Sequence, residues 1–219
     1  MTAKRLFDGV FSIDGKLATV NLAKGKKVYG EELVEVGGRE YRMWNPYRSK
    51  LAAAIMMGLK SMAMKEGDSV LYLGASTGTT SSHVSDIVGE KGIVYCVEIS
   101  ERSMRDLLKV CESRRNMLPI FGDARNVDEY ADDVKKVDAI YEDVAAPDQA
   151  DILIRNGALL KKNGFAYIAI KSQSIDVSKR PREVFDEFLE RTSGSFSVVQ
   201  SVDIDRYDKK HLFVVLKKS

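Results

Sequence analysis

The stretch Gly74-Ala75-Ser76-Thr77-Gly78-Thr79-Thr80 lies between an apolar run, Ser69-Val70-Leu71-Tyr72-Leu73, and a helical segment reaching about Val88. Glycines in such a loop let the backbone turn sharply and approach a ligand closely, while the helix that follows presents its N-terminal amides. A dinucleotide site calls for G-x-G-x-x-G, so that a pyrophosphate rests on the helix end. The spacing here is G-x-x-x-G, which speaks against a pyrophosphate and against a nicotinamide dehydrogenase. Glu98 closes the next apolar run, where an acidic residue can accept hydrogen bonds from both hydroxyls of a ribose. Read alone, Glu98 serves equally well as a helix cap or a surface carboxylate. Asp123, in Phe121-Gly122-Asp123-Ala124, closes a third run, and Gly-Asp is also a plain turn former. Three such sites at three successive strand ends would line one crevice.

The elements that must hold them follow from the hydrophobic pattern. Val10 to Ile13, Asp14-Gly15, and Lys16 to Val20 read as a hairpin, because Asp-Gly readily takes the positive φ of a tight turn. Leu33 to Val36, Gly37-Gly38, and Arg39 to Arg42 read as a second. After Trp44-Asn45-Pro46 the period changes, and Leu51 to Lys65, rich in Ala, Met and Leu, is expected to be helical. Strands are expected at 69–73, 93–97, 117–121, 137–141, 165–170, 196–204 and 212–216. Helices are expected to about Val88 and over 101–114, 147–160 and 182–191. Alternating units with continuous apolar strands predict a mostly parallel sheet covered by helices on both faces. Asp205 to His211 is too short for a parallel crossover, so the last two strands must be antiparallel. The division expected is a small antiparallel β domain over 1–45 and an α/β domain over 46–219.

Four further segments are distinctive: Trp44-Asn45-Pro46-Tyr47-Arg48-Ser49-Lys50-Leu51-Ala52-Ala53, the loop LGASTGTTSSHVSD, Glu142-Asp143-Val144-Ala145, and Ile170-Lys171. Together with the amino-terminal strands they resemble fibrillarin over essentially the whole chain. The absence of a Gly/Arg-rich tail before the first strand makes the resemblance one to the archaeal type. It implies a class I S-adenosylmethionine-dependent methyltransferase fold, Rossmann-like, with a seven-stranded sheet carrying one antiparallel strand. It also implies S-adenosyl-L-methionine as cofactor, the loop passing under its methionine part. The positions carried over as cofactor contacts are Gly74, Ala75, Gly78, Thr79, Thr80, Glu98, Ile99, Asp123, Ala124, Asp143, Val144, Ala145 and Ala146, with Asp123 reaching the adenine amino group. One departure is visible: fibrillarins usually carry glutamine where this chain has Ala146.

The resemblance further implies a catalytic set of Lys50, Asp143, Lys171 and His211. Methyl transfer needs an in-line approach of a nucleophilic oxygen to a sulfonium-bound methyl, so positioning and proton removal are the enzyme's main tasks. Asp143 can favour the positive sulfur and orient a lysine, and Lys171 is the candidate to contact the hydroxyl. Lysine, with an ordinary pKa of about 10.4, acts as a base only if burial or another cation lowers that value. Otherwise it stabilises the developing alkoxide electrostatically. Both roles stand open at this stage. His83, on the helix after the glycine loop, reads as structural.

Hydrophobic residues make up 44% of the 219 and charged residues 30%, a profile that excludes extended disorder. The charge balance is 34 basic against 32 acidic residues, net +2, too even for a protein that grips nucleic acid unaided. The resemblance supplies the rest of the grip: a Nop-family scaffold protein, a kink-turn-binding ribosomal-type protein, a box C/D guide RNA, and target rRNA or tRNA chosen by pairing. Cys96 and Cys111 match no zinc spacing and form no disulfide framework, and no apolar run approaches membrane length. No metal, no membrane association and a cytoplasmic location are therefore expected. The function expected is RNA-guided ribose 2′-O-methylation. The alternatives are a protein (glutamine) methyltransferase and a catalytically silent particle component.

Overall fold

The structure, a computed structural model, describes residues 2–219. Its amino-terminal part is an antiparallel sheet of β1 (Ala3–Phe7), β2 (Val10–Ile13), β3 (Lys16–Val20), β4 (Leu33–Val36) and β5 (Arg39–Trp44), ordered β1-β2-β3-β5-β4. Both expected hairpins form, with Asp14 and Gly15 at φ 48° and 79°, as a tight two-residue turn requires. β1 has no counterpart in the sequence expectations. Ala-Lys-Arg-Leu-Phe shows no clean alternation, and the strand exists because β2 pairs with it, its basic side chains guarding an exposed edge.

The second sheet comprises β6 (Ser69–Leu73), β7 (Ile93–Glu98), β8 (Met117–Phe121), β9 (Val137–Glu142), β10 (Leu160–Lys171), β11 (Phe196–Asp203) and β12 (His211–Lys218), ordered β11-β12-β10-β9-β6-β7-β8. β12 runs antiparallel to both its neighbours and every other pairing is parallel. Helices α1 (Lys50–Met56), α2 (Thr79–Val88), α3 (Glu101–Glu112), α4 (Gln149–Asn156), α5 (Ser172–Ile175) and α6 (Pro181–Thr192) cover it. This is the mostly parallel, seven-stranded arrangement that the apolar runs predict.

One expected element is much shorter than its pattern. The helix expected over Leu51 to Lys65 stops at Met56, because Gly58 takes φ +98° and turns the chain out of helical register. The amides beyond find side-chain acceptors instead of a helical ladder. Lys60 N–H donates to Gln200 Oε1 at 2.9 Å, and Ala63 and Met64 N–H donate to the Tyr167 hydroxyl at 2.8 and 3.2 Å. Leu59 and Met64 stay buried, so the apolar content serves as a strap over the sheet rather than a helix face. The helix expected over 147–160 likewise resolves into α4 and a single 3₁₀ turn, Gly157–Leu159, ahead of the long strand β10.

α2 is the joint of the molecule. Every residue from Thr80 to Val88 is buried, with the amino-terminal sheet on one side and the large sheet on the other. Its polar side chains are satisfied across that joint. Asp86 accepts from Arg42 Nη1 at 2.8 Å, from Thr19 Oγ1 at 2.8 Å, from the Leu22 amide at 3.1 Å, and from Arg114. His83 stacks on Trp44 with ring centroids 4.7 Å apart and bonds Thr19 Oγ1 and the Tyr29 hydroxyl, each at 2.8 Å, so it is structural as read from the sequence.

Burial, with Arg42 and Arg114 nearby, holds His83 well below the ordinary histidine value of 6.5. The folded state thus keeps the ring neutral while the unfolded chain protonates as pH falls through about 6.5. The stability linked to His83 is complete above that value and is lost progressively as pH falls below it. Thermal melts between pH 7 and pH 5 should show this loss, and a His83→Gln variant should show a flatter profile. Equal slopes for the two proteins would remove His83 from the linkage.

Candidate active site

Gly74 follows β6 at φ +78°, and a Cβ there would stand only 3.1 Å from the Asp143 carbonyl carbon and oxygen. The glycine therefore lets the loop lie directly against the backbone that leaves β9, and the two are tied by Asp143 N–H to Leu73 O at 3.0 Å. Gly78 serves a different need. It also has positive φ, 90°, but a Cβ would meet Val110 and Leu107 of α3, so it is small for helix packing.

A crevice of about 320 Å³ opens at the carboxyl ends of β6, β7, β8 and β9. Open α/β sheets bind ligands at such a place, and the volume is at the low end for a small-molecule site. Gly74, Glu98, Ile99, Asp123, Ala124, Asp143, Val144, Ala145, Ala146 and Lys171 all line it. Ala75, Gly78, Thr79 and Thr80 do not. Ala75 is buried in the core, and the Thr80 hydroxyl donates to Ser49 Oγ at 3.0 Å, bracing the start of α1.

Glu98 is fixed before any ligand arrives. Its Oε2 accepts the Ser76 amide at 2.7 Å and its Oε1 the Ser100 amide at 2.8 Å, which leaves further lone pairs on each oxygen. Asp123 accepts its own loop's Arg125 amide at 2.9 Å, and Arg125 in turn pairs with Asp148 at 3.0 Å. Ser76 and Arg125 line the crevice and were not foreseen. Ser76 sits at φ +50°, unusual for a non-glycine residue, and neither residue type signals a contact by itself.

At one end of the crevice the four residues of the expected catalytic set converge. Asp143 Oδ1 lies 2.9 Å from Lys171 Nζ and 3.1 Å from Lys50 Nζ, and Lys171 Nζ also donates to the Asp143 carbonyl at 2.7 Å. All three side chains are at most one-fifth exposed. Lys171 and His211 are direct register partners on β10 and β12. Asp208, absent from the sequence expectations, completes the set, 3.5 Å from Lys50 Nζ and 3.2 Å from His211 Nδ1. It sits in the β11–β12 turn, where an aspartate carries no distinguishing signal.

Lys50 stands at the first position of α1, where the helix dipole disfavours a cation by roughly 0.3–1 kcal/mol. Burial would depress its ammonium further, but Asp143 and Asp208 outweigh both and hold it above the ordinary lysine value. Lys50 is thus a permanent cation at neutral pH. Glu142, next to Asp143, is fully buried with neither carboxyl oxygen hydrogen-bonded among the described residues. Burial pushes it well above the usual carboxylate range, which favours its neutral form and leaves Asp143, with Asp208, to answer the lysines.

These residues fit S-adenosyl-L-methionine by donor chemistry: the carboxylates of Glu98 and Asp123 would hold its ribose and adenine, apolar Val97, Ile99 and Ile152 line the same crevice, and the Asp143 carboxylate would favour its sulfonium. The fibrillarin family model matches residues 1–219. A fibrillarin-like rRNA/tRNA 2′-O-methyltransferase of Methanocaldococcus jannaschii is 51% identical over 97% of this chain and 95% of that protein. Aeropyrum pernix fibrillarin, solved with natively bound S-adenosyl-L-methionine, superposes with a TM-score of 0.90 at 43% identity, covering 99% of this chain and 98% of that one. A fibrillarin solved in complex with Nop5p gives 0.91 at 38% identity, covering 99% and 100%. The match runs from end to end, through the amino-terminal sheet as well as the crevice and its lysines, and the chain belongs to the fibrillarin family.

Proposed function

We propose that this chain transfers a methyl group from S-adenosyl-L-methionine to a ribose 2′-hydroxyl of rRNA or tRNA. The observation that carries the reading is the Lys50–Asp143–Lys171 ion cluster at the end of the crevice. The bound cofactor supplies an electrophilic methyl on a sulfonium, which leaves as a neutral thioether. Lys171 contacts the hydroxyl oxygen and stabilises the negative charge that develops as the hydroxyl proton passes to solvent, and the O–CH₃ bond then forms as the S–CH₃ bond breaks. Asp143, gripped by both lysines, fixes the Lys171 ammonium in place. Lys50 is anchored through the buried Leu51–Ile55 face of α1 and holds the carboxylate from the other side.

The chain acts with a Nop-family scaffold, by the likeness to the fibrillarin solved with Nop5p. A kink-turn-binding protein and a box C/D guide RNA complete the particle, and the guide chooses the target by base pairing. The near-neutral charge supports this division of labour, because sequence readout lies outside the chain. Residues 1–45 and an adjoining face form the scaffold-docking unit, and 46–219 the catalytic unit, in a cytoplasmic particle.

Labelled-methyl transfer to a guide-paired RNA, with scaffold and kink-turn partners present, tests the reading. Transfer should vanish when the paired target nucleotide lacks its 2′-hydroxyl. Label that persists on that RNA, or that appears on a protein of the particle instead, overturns it.

A further inference from the structure

Two chain segments beside the lysine cluster carry features that the methyl-transfer chemistry leaves unused. Tyr47 lies just before Lys50 and is 67% exposed, although tyrosine is on average a residue of intermediate burial. Its ring meets that of Tyr207 edge to face, with centroids 5.0 Å apart and planes at 70°. Tyr207 belongs to the β11–β12 turn that also supplies Asp208, the partner of Lys50. An arginine accompanies each tyrosine in sequence. The Arg206 guanidinium lies 5.8 Å from the Tyr207 ring centroid, and the Arg48 guanidinium 5.8 Å from that of Tyr29. Both arginines are exposed, and neither side chain has an ion-pair or hydrogen-bond partner among the described residues.

A guanidinium resting on an aromatic face keeps its planar fork of donors while losing rotamer freedom in advance, which suits it to phosphate oxygens. We propose that Tyr47, Arg48, Arg206 and Tyr207 clamp the ribose–phosphate backbone of the target strand next to the acceptor nucleotide, the arginines on phosphates and the tyrosine rings against the sugars. This rests on the RNA-methylation reading and supplies its substrate contact. A chain of net charge +2 carries little overall basic surplus, so local contacts matter more to its hold on the strand, and these residues adjoin Lys50 in sequence and through the turn that supplies Asp208.

The test uses the assembled particle with full-length chain, scaffold, kink-turn protein and guide, and reads both KM for the target strand and its retention on filters across a salt series. Arg48→Ala and Arg206→Ala should each raise KM about tenfold and lower the slope of log affinity against log salt by about one. Tyr47→Ala should weaken retention several-fold and Tyr47→Phe much less, because the ring rather than the hydroxyl makes the contact. Arg182→Ala, on the far helix α6, is the control and should change nothing. Unchanged salt slopes in both arginine variants overturn the clamp. So does a KM increase that disappears when excess scaffold is added, which would assign the arginines to protein docking. Retention needs no methyl transfer, so a wild-type particle that binds the strand without methylating it counts against the activity alone, and the clamp is still decided by its variants.

Discussion

Replacing Lys171 by alanine is expected to lower the rate of methyl transfer about 10²–10³-fold, the usual loss on removing one preorganised group from a developing oxyanion. The lysine stands 2.9 Å from Asp143 Oδ1 and lines the crevice, so the loss should fall on turnover rather than on retention of S-adenosyl-L-methionine, which equilibrium dialysis would measure. Lys171→Arg separates the two roles left open by the sequence. Arginine keeps the positive charge and in effect never deprotonates, so it can replace an electrostatic clamp but not a base. The geometry favours the clamp: Asp143 lies between two ammonium groups, and Lys50 is held above the ordinary lysine value rather than depressed. Lys171→Arg should therefore recover a measurable part of the activity lost in Lys171→Ala. Two equally inactive variants, both binding cofactor normally, would return the base role to Lys171.

What the sequence carried of this site follows from how each residue acts. Glu98 and Asp123 could be singled out as crevice residues because the reading depends on side-chain type and on standing at a strand end, and apolar runs mark strand ends well. Lys50, Asp143, Lys171 and His211 were legible only by resemblance. The positions converge through the β10–β12 register and the start of α1, and no local spacing encodes that. Asp208 escaped for the same reason, being one more aspartate in a turn until the fold brings it to Lys50. Thr79 and Thr80 sit in a loop that reads as cofactor-binding, and Thr80 also donates to Ser49 at the start of α1. Small residues of a ligand loop divide between contact and packing, and composition does not sort them. The fold erred where apolar content outran helix formation: Leu59 and Met64 are buried as their types demand, but Gly58 and the Tyr167 hydroxyl decide that the chain there is a strap.

Asp86→Ala should be the most destabilising single change on the shared face of the two sheets. The carboxylate is fully buried and engages two arginines, Arg42 and Arg114, whose side chains are themselves unexposed. Deleting it leaves two guanidinium groups in an interior where, among the described residues, Arg42 keeps only Glu31 and Ser82, and Arg114 only Asn21 and Ser85. Removing one partner of a buried ion pair costs about 3–5 kcal/mol, because the remaining charge is left uncompensated. In a chain of this length that lowers the melting temperature on the order of 10 °C. Asp86→Asn keeps the shape and one acceptor oxygen but loses the charge, so it should fall between wild type and Asp86→Ala. Neither Asp86 nor its partners line the crevice, and the variant that still folds should bind cofactor with little change below its melting point. A melting temperature within about 2 °C of wild type for Asp86→Ala would mean that the sheets are joined by apolar packing alone. The network of Thr19, Arg42, His83, Asp86 and Arg114 would then fix only the orientation of the amino-terminal sheet on α2.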